Sequence, residues 1–333
     1  MTGSKKAAII GLGGVAPTHI KSLETLGIQI AALCDNKPER SLLHDYPFYT
    51  DYNGMLAQGG FDVLHICLPH YLHASVAIAA LSHGVHVICE KPMATNVPDA
   101  ESMIAAAKAS GARLEIIFQN RYNPGTQAIK KALDSGALGQ VLGGSIQVTW
   151  HRTEEYYTHN DWRGRWCTEG GGALINQSIH SFDLMNYFLG NPTSVSGSIA
   201  NRAHPFIEVE DMAEGLITYG NTHVIFYVTT NHPYDAPVRL EIVCENGRAV
   251  LKGETATIVY NTGEESTVGE DDKTTQLFGK DYWGYSHIRQ IRDFYEALAG
   301  GETPRICGME GLRTQRLING IYESASTGQV VKL

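Results

Sequence analysis

The sequence is short of positive charge. Its 333 residues hold 26 Lys and Arg against 35 Asp and Glu, for a net charge of −9. Nucleic acid and anionic membrane surfaces are bound by an excess of Lys and Arg, so neither is an expected partner. Long apolar runs are missing too: none approaches the ~18 residues that mark a membrane span. The six cysteines, Cys34, Cys67, Cys89, Cys167, Cys244 and Cys307, contain no C-x-x-C pair. Packed, reduced thiols are expected rather than disulfides or a zinc site. There is no internal repeat and no low-complexity linker. Lys5-Lys6 followed by Ala7-Ala8-Ile9-Ile10 faintly imitates a signal peptide, but its apolar part is short and runs straight into glycines. With 43% hydrophobic and 18% charged residues, the expectation is a cytoplasmic globular protein of about two domains.

Over the first 120 or so residues, short apolar runs alternate with helical patterns. Strands are predicted at Ala7–Ile10, Gln29–Cys34, Val63–Cys67, Val85–Cys89 and Leu114–Phe118. Helices are predicted between them, as at Ala74–His83 and Val97–Ser110. That alternation predicts βαβ units and a doubly wound parallel sheet. Beyond residue 122 the texture changes to β-branched, alternating runs, with hairpin turns at Glu245-Asn246-Gly247 and Tyr219-Gly220-Asn221. An antiparallel sheet follows from them. It is interrupted by a helix near Ile175–Leu189 and closed by helices at Ile288–Ala299 and Gly311–Thr327. The expected division is residues 1–122 and 123–333, with the C-terminal helix packing back on the first domain.

The first strand runs into Gly11-Leu12-Gly13-Gly14-Val15-Ala16, a G-x-G-x-x-A turn between a strand and a helix. Such glycines let a pyrophosphate approach backbone amides at a helix N-terminus. Asp35 ends the second strand, 22 residues after Gly13. A carboxylate there accepts from the adenosine ribose and repels a 2′-phosphate, which points to NAD. Lys37 and Arg40 close by leave NADP open. Pro69 and His73 follow the third strand as candidate borders of the cofactor. For His73 a plain hydrogen-bonding role at a helix start is equally open.

Two further clusters carry chemistry. Glu90-Lys91-Pro92 directly follows a buried strand, where open α/β sheets bind ligands. The proline restricts Lys91 to extended backbone, and the Lys91–Pro92 bond is a candidate for the cis form. Gly170-Gly171-Gly172 leads into a helix on which Asn176, His180 and Asp183 recur at i, i+4 and i+7, on one face. That triplet is either a solvated face or a site, and the flanking glycines favour a site.

Together these pieces resemble the Gfo/Idh/MocA family, the glucose–fructose oxidoreductase and inositol dehydrogenase group. The resemblance implies a Rossmann domain followed by an open-faced, mostly antiparallel β-sheet domain. It implies nicotinamide-dependent oxidation or reduction of a carbohydrate-like secondary alcohol, and homodimers or homotetramers built on the open sheet. The family's catalytic lysine corresponds to Lys91 and its histidine to His180. Many members carry Asp where this chain has Asn176, so Asn176 only bonds and orients. An imidazole titrates near neutrality and suits the proton acceptor. Lys91 then steadies charge on the alcohol oxygen, although the reverse assignment stays open. The expectation is that this amine and this imidazole converge beside one nicotinamide ring.

Trp150 to Tyr157 and Trp162-Arg163-Gly164-Arg165-Trp166 suggest a sugar face and a clamp for an anion. Arg121, Tyr157, Trp162, Arg163, Asn176 and His180 are the candidate substrate residues. A structural loop, with its arginines paired to Glu154 or Glu155, is the competing account. The string is similar to family members that oxidise C3 of UDP-linked N-acetylglucosaminuronate, and to glycoside members as well. Two other functions remain: an enzyme that keeps its NAD and uses transient oxidation for elimination or hydrolysis, and a non-catalytic NAD-responsive protein.

Overall fold

An apolar run such as Ala7–Ile10 has nothing to offer water, so a strand built from it must be covered on both faces. The computed structural model describes residues 5–43, 45–269 and 286–333. In it Ala7–Ile10 is β1, buried throughout. It lies inside a parallel sheet with β2 (Ile30–Cys34), β3 (Phe48–Tyr49), β4 (Val63–Ile66), β5 (His86–Cys89) and β6 (Leu114–Ile116). The order is β3-β2-β1-β4-β5-β6. The direction of winding therefore reverses between β1 and β4, where such sheets open a crevice at their carboxyl ends. Helices α1 (Ala16–Thr25), α2 (Tyr52–Gln58), α3 (His70–Ser82) and α4 (Val97–Ser110) make the crossovers.

The chain forms two compact units. The first comprises residues up to Phe118 together with Ser286–Leu312; the second runs from Gln119 and takes in Arg313–Leu333. A single cut near residue 122 omits the return of 286–312 to the first unit. That return has a physical cause. α9 (His287–Gly300) buries Ile291 and Phe294 in the same core as Ile20 and Leu23 of α1. Its Gln290 side chain accepts from the Phe118 amide at 3.1 Å and donates to Glu115 at 2.7 Å and to the Ile116 carbonyl at 2.8 Å. All of these groups are buried, so the glutamine closes the edge of β6.

The second unit is a nine-stranded sheet. Its strands are β7 (Val141–Thr149), β8 (Ser194–Ala200), β9 (Met212–Tyr219), β10 (Thr222–Thr229), β11 (Arg239–Cys244), β12 (Gly247–Lys252), β13 (Thr255–Tyr260), β14 (Glu265–Val268) and β15 (Val331–Lys332). The order is β14-β13-β12-β11-β7-β10-β9-β8-β15. All pairs are antiparallel except β7 with β10, which run parallel at the centre. Ile146, Val148, Val224, Phe226, Leu240 and Ile242 line the covered face. Phe182 of α8 (Ile179–Leu189) meets Phe226 there edge to face, with ring centroids 5.3 Å apart. Leu142, Ile225, Tyr227 and Val243 stand exposed on strands β7, β10 and β11. The remaining helices are α5 (Pro124–Asp134), α6 (Glu154–Thr158), α7 (Trp166–Glu169) and α10 (Gly308–Thr327). Among the described residues no helix is long and apolar enough to cross a membrane. All six cysteines are free thiols, four of them buried.

One buried ion pair ties α8 to the segment before α5. Arg121 donates from Nε and Nη2 to the two oxygens of Asp183, at 2.8 and 2.6 Å. Thr314 adds a hydroxyl at 3.1 Å. Both charged side chains are almost fully excluded from water. Removing one member leaves the other buried and uncompensated, so Asp183→Ala is expected to cost roughly 3–5 kcal/mol in urea denaturation. A loss below 1 kcal/mol would mean that water reaches Arg121.

Candidate active site

Gly11 ends β1 with φ +84°. A Cβ on it would lie 2.6 Å from the Cys67 carbonyl oxygen, so the turn tolerates no side chain. At Gly13 and Gly14 a Cβ would meet only open space. Val15 then precedes α1, which starts at Ala16-Pro17 with no side-chain cap. Its first amides suit an anion. Asp35 sits at the end of β2, nearly buried. Its Oδ2 accepts from the Leu12 amide and from Arg40, both at 2.7 Å, and its Oδ1 accepts from the Lys37 amide at 2.9 Å. One carboxylate thus tethers the glycine turn and neutralises Arg40, the cation that kept NADP in play. This unfilled turn, uncapped helix and fixed carboxylate fit a dinucleotide.

Two loops flank that turn. Pro69 precedes α3 as its N-cap. His73 is fully buried, with Nδ1 2.7 Å from the Pro92 carbonyl and Nε2 2.8 Å from the Leu68 carbonyl. Burial pushes its pKa down, against the pull of those two bonds. His73 therefore staples the loop after β4 to the loop after β5. The Lys91–Pro92 bond is cis.

Glu90 points inward. Its Oε1 accepts from Nε2 of His19 at 3.0 Å and of His287 at 3.2 Å, and its Oε2 accepts from the Lys91 amide at 3.2 Å. Burial opposes ionisation, but the bonds from the two imidazoles hold Glu90 well below the usual carboxylate range. His19 Nδ1 lies 2.9 Å from His65 Nδ1, and His65 Nε2 lies 3.1 Å from the Tyr295 hydroxyl. Burial lowers the pKa of both rings. With both neutral, one order satisfies every bond: Tyr295 donates to His65, His65 to His19, and His19 to Glu90. Any other order turns a lone pair of His19 onto the carboxylate. His19, Glu90 and His287 also form the one group among the described residues with spacing for a metal. With the N–H groups of His19 and His287 turned to its Oε1, Glu90 is a caged carboxylate.

In the second unit, Ala173–Ser178 is a π-helical turn, and α-helical register begins at Ile179. Asn176 lies in that π turn, and His180 and Asp183 lie in the α-helical register after it. Asn176 donates to Glu169 Oε1 at 2.5 Å and to the Tyr156 hydroxyl at 3.3 Å. His180 is half-buried on the first turn of α8. Asp183 faces the core and Arg121. Arg121 is thereby committed to Asp183 and stacks on Tyr187, 5.0 Å from its ring centre. Tyr157 is buried too, its hydroxyl 3.3 Å from Thr230 and its ring beside His204 and Phe206. The neighbouring Tyr156 meets Asn176 and accepts from Gln177 at 2.7 Å.

Arg163 lies over the Tyr156 ring at 4.1 Å and the Trp162 ring at 5.2 Å. Arg152 lies over Trp150 and Tyr156 at 5.0 and 5.3 Å. It donates to Gln177 and pairs with Asp235 rather than with Glu154 or Glu155. Arg163 has no carboxylate partner among the described residues. Its Nη1 donates to the Tyr156 carbonyl at 3.3 Å, and its buried Nε has no hydrogen-bond partner. Glu169, Gln177 and Glu210 were not singled out from the sequence. They are polar residues without periodic context, and only the fold shows what they hold.

Comparison with known proteins follows the same division. The model of an oxidoreductase family with an NAD-binding Rossmann fold matches residues 5–118, and that of the GFO/IDH/MocA C-terminal domain matches residues 126–250. The D-apiose dehydrogenase of Rhizobium rhizogenes is 27% identical over 98% of this chain and 97% of its own. The inositol 2-dehydrogenase of Salmonella typhimurium is 25% identical over 90% of this chain and 87% of its own. The WlbA dehydrogenase of Bordetella pertussis, solved with NADH and UDP-GlcNAcA, superposes with a TM-score of 0.87 at 29% identity, over 99% of each chain.

The Asp35–Arg40 pair yields a direct test. Asp35→Ala removes hydrogen bonds to a charged group and releases Arg40. NAD⁺ affinity measured by calorimetry should fall about 10–100-fold, while NADP⁺ affinity rises. An unchanged preference would show that the carboxylate does not read the ribose.

Proposed function

The chain belongs to the GFO/IDH/MocA oxidoreductase family, and on that ground we propose how it acts as an NAD-dependent dehydrogenase on a secondary alcohol of a sugar or sugar derivative. One observation carries the reading. Gly11–Ala16, Pro69 and Lys91 follow β1, β4 and β5, three neighbouring strands, at their carboxyl ends. The glycine turn, Asp35 and the start of α1 hold the dinucleotide. Bound NAD⁺ supplies the hydride acceptor.

His180 takes the proton of the reacting hydroxyl. Lys91 donates a hydrogen bond to the alcohol oxygen and steadies its developing negative charge. Support for these roles is the resemblance at both positions and the caged Glu90, which fixes the backbone amide of Lys91. Asn176 orients the substrate from the π turn. Arg163, stacked on Tyr156 and Trp162, takes an anionic group of the substrate; a guanidinium without a carboxylate partner suits a carboxylate or phosphate. Relatives named as dehydrogenases favour net hydride transfer over transient oxidation. The exposed Leu142, Ile225, Tyr227 and Val243 on the sheet support a homodimer or homotetramer built on that face. The six free thiols support a cytoplasmic location.

Lys91→Ala and His180→Ala should each lower kcat by about 10²–10⁴-fold with NAD⁺ binding within a few-fold. If both act on one step, the double variant should lose far less than the product of the two. The assay is NADH absorbance across uronates, UDP-sugars, hexoses, inositols and glycosides. Near-full turnover in either variant would refute its role. Equal rates on charged and neutral sugars, unaffected by Arg163→Gln, would refute the anionic subsite.

A further inference from the structure

The turn that carries Asn176 and leads into His180 is π-helical, a rare register that concentrates at functional sites. Its own Ser178 hydroxyl donates back to the Ala173 carbonyl at 2.8 Å. Its beginning is held from outside by Glu210, which precedes β9. Glu210 Oε2 accepts from the Gly172 amide at 2.9 Å. Its Oε1 accepts from the Leu174 amide and from the Tyr322 hydroxyl, each at 2.9 Å. The Glu210 backbone carbonyl accepts from the Ala173 amide at 3.1 Å. The side chain is buried, and its own backbone amide adds to these donors. The glycines before the turn exist for this contact. A Cβ at Gly172 would lie 2.1 Å from the Glu210 carbonyl oxygen, and one at Gly171 would lie 2.0 Å from the Tyr322 hydroxyl.

We propose that Glu210 is a positioning residue: as a carboxylate it holds the π turn in the register that orients Asn176 and His180, and on protonation it releases that turn. The proposal rests on the assignment of His180 as proton acceptor. The backbone amides facing the carboxylate, those of Gly172, Leu174 and Glu210 itself, can only donate, and the Tyr322 hydroxyl donates to it as well. A proton on Oε2 would displace the Gly172 amide, and one on Oε1 would have to turn onto the Tyr322 oxygen and reverse that bond, so a bond that holds the turn is lost or reversed. Burial pushes the Glu210 carboxyl up to about 7, against the bonds from the Leu174 and Gly172 amides, its own amide and Tyr322. The change of state therefore falls in the working range of an enzyme.

The surrounding titratable groups do not take over this role. Tyr322 on α10 is driven well above the usual phenol range, by burial first and then by Glu210 itself, and stays a donor. Glu169 on α7 is engaged with Asn176 and the Gly164 amide. Asp211, next in sequence, turns to His204 at 2.8 Å and to the amides of Arg202 and Ala203. No Lys or Arg pairs with Glu210 among the described residues. An acid whose pKa rises on folding holds its proton more tightly folded than unfolded. Its stabilising contribution is therefore present below the ordinary 4.5 and is lost as pH rises toward about 7.

Glu210→Gln and Tyr322→Phe in the full chain test this. At pH ~8.5 Glu210→Gln should lose about 10-fold or more in kcat, with KM for NAD⁺ within about two-fold. Wild-type kcat should fall as pH drops through about 7. That ionisation should vanish from the Glu210→Gln profile and move to higher pH in Tyr322→Phe, which lacks the bond favouring the carboxylate. Independently of catalysis, the urea midpoint of Glu210→Gln should gain on wild type between about pH 5 and pH 8. A midpoint difference that ignores pH overturns the proposal whatever His180→Ala does. Wild-type kcat with an unaltered pH profile in Glu210→Gln overturns it as well. Retained turnover in His180→Ala is a failure of the proton-acceptor assignment, read separately from the midpoints.

Discussion

Everything at the carboxyl edge of the first sheet depends on a negative charge kept away from water. Glu90 would be costly as a bare carboxylate in that core. His19 and His287 make it tolerable by directing N–H groups at one oxygen, while the other oxygen takes the Lys91 amide. His19 belongs to α1, Glu90 follows β5, and His287 begins α9. The charge therefore gathers three distant pieces of chain around the segment that presents Lys91. It also explains why residues 286–312 belong to the first unit. His287 and Gln290, on the first turn of α9, satisfy buried polar groups after β5 and on β6.

The second unit uses the same device three times. Asp183 fixes α8 to Arg121, Glu169 fixes Asn176 to the loop at Gly164, and Glu210 fixes the start of the π turn. Each carboxylate accepts from two or more donors, which is what makes a buried acid stable enough to act as an anchor. The acidic excess of the chain is thus partly internal. It cannot be read as a surface field alone. The half-buried Arg152 and Arg163 are organised differently. Arg152 and Arg163 are ordered by aromatic faces, which align a guanidinium without cancelling its charge. Arg163 keeps its charge available in a way that Arg121, locked to Asp183, does not.

What was legible in the sequence was local. β1 with its glycine turn, β5 with Glu90-Lys91-Pro92, and the hairpins at Gly220 and Asn246 all follow from short-range rules: apolar runs, positive-φ glycines and turn pairs. What stayed hidden was set by partners far away in the chain. β3 is two half-buried residues at a sheet edge, β14 is polar and mostly exposed, and β15 is recruited by β8. The parallel pairing of β7 with β10 joins strands some 80 residues apart, with no local signature. The π turn reads as ordinary α periodicity, because nothing in the residue pattern distinguishes the two registers. Tyr156 and Tyr157 are adjacent and chemically alike. Which of them is buried beside His204 and which meets Asn176 is decided by the rotation of the five-residue α6. Of Asn176, His180 and Asp183, the π turn carries the first and regular α8 the other two, and it is the distant Arg121 that occupies Asp183.

Asparagine at position 176 follows from this arrangement. The Asn176 amide donates to Glu169 Oε1, while Glu169 Oε2 accepts the Gly164 amide. An aspartate at 176 would set two carboxylates against each other at hydrogen-bond distance, and one would have to stay protonated. Asparagine removes that conflict by turning an acceptor into a donor. The same exchange strips position 176 of any part in proton transfer, since an amide neither gives nor takes a proton near neutrality. Once Glu169 is fixed as an anchor, proton transfer on this helix falls to the residue proposed for it, His180. Asparagine at 176 is thus matched to the neighbour that does the anchoring, and it separates a position that only bonds from the one proposed to react.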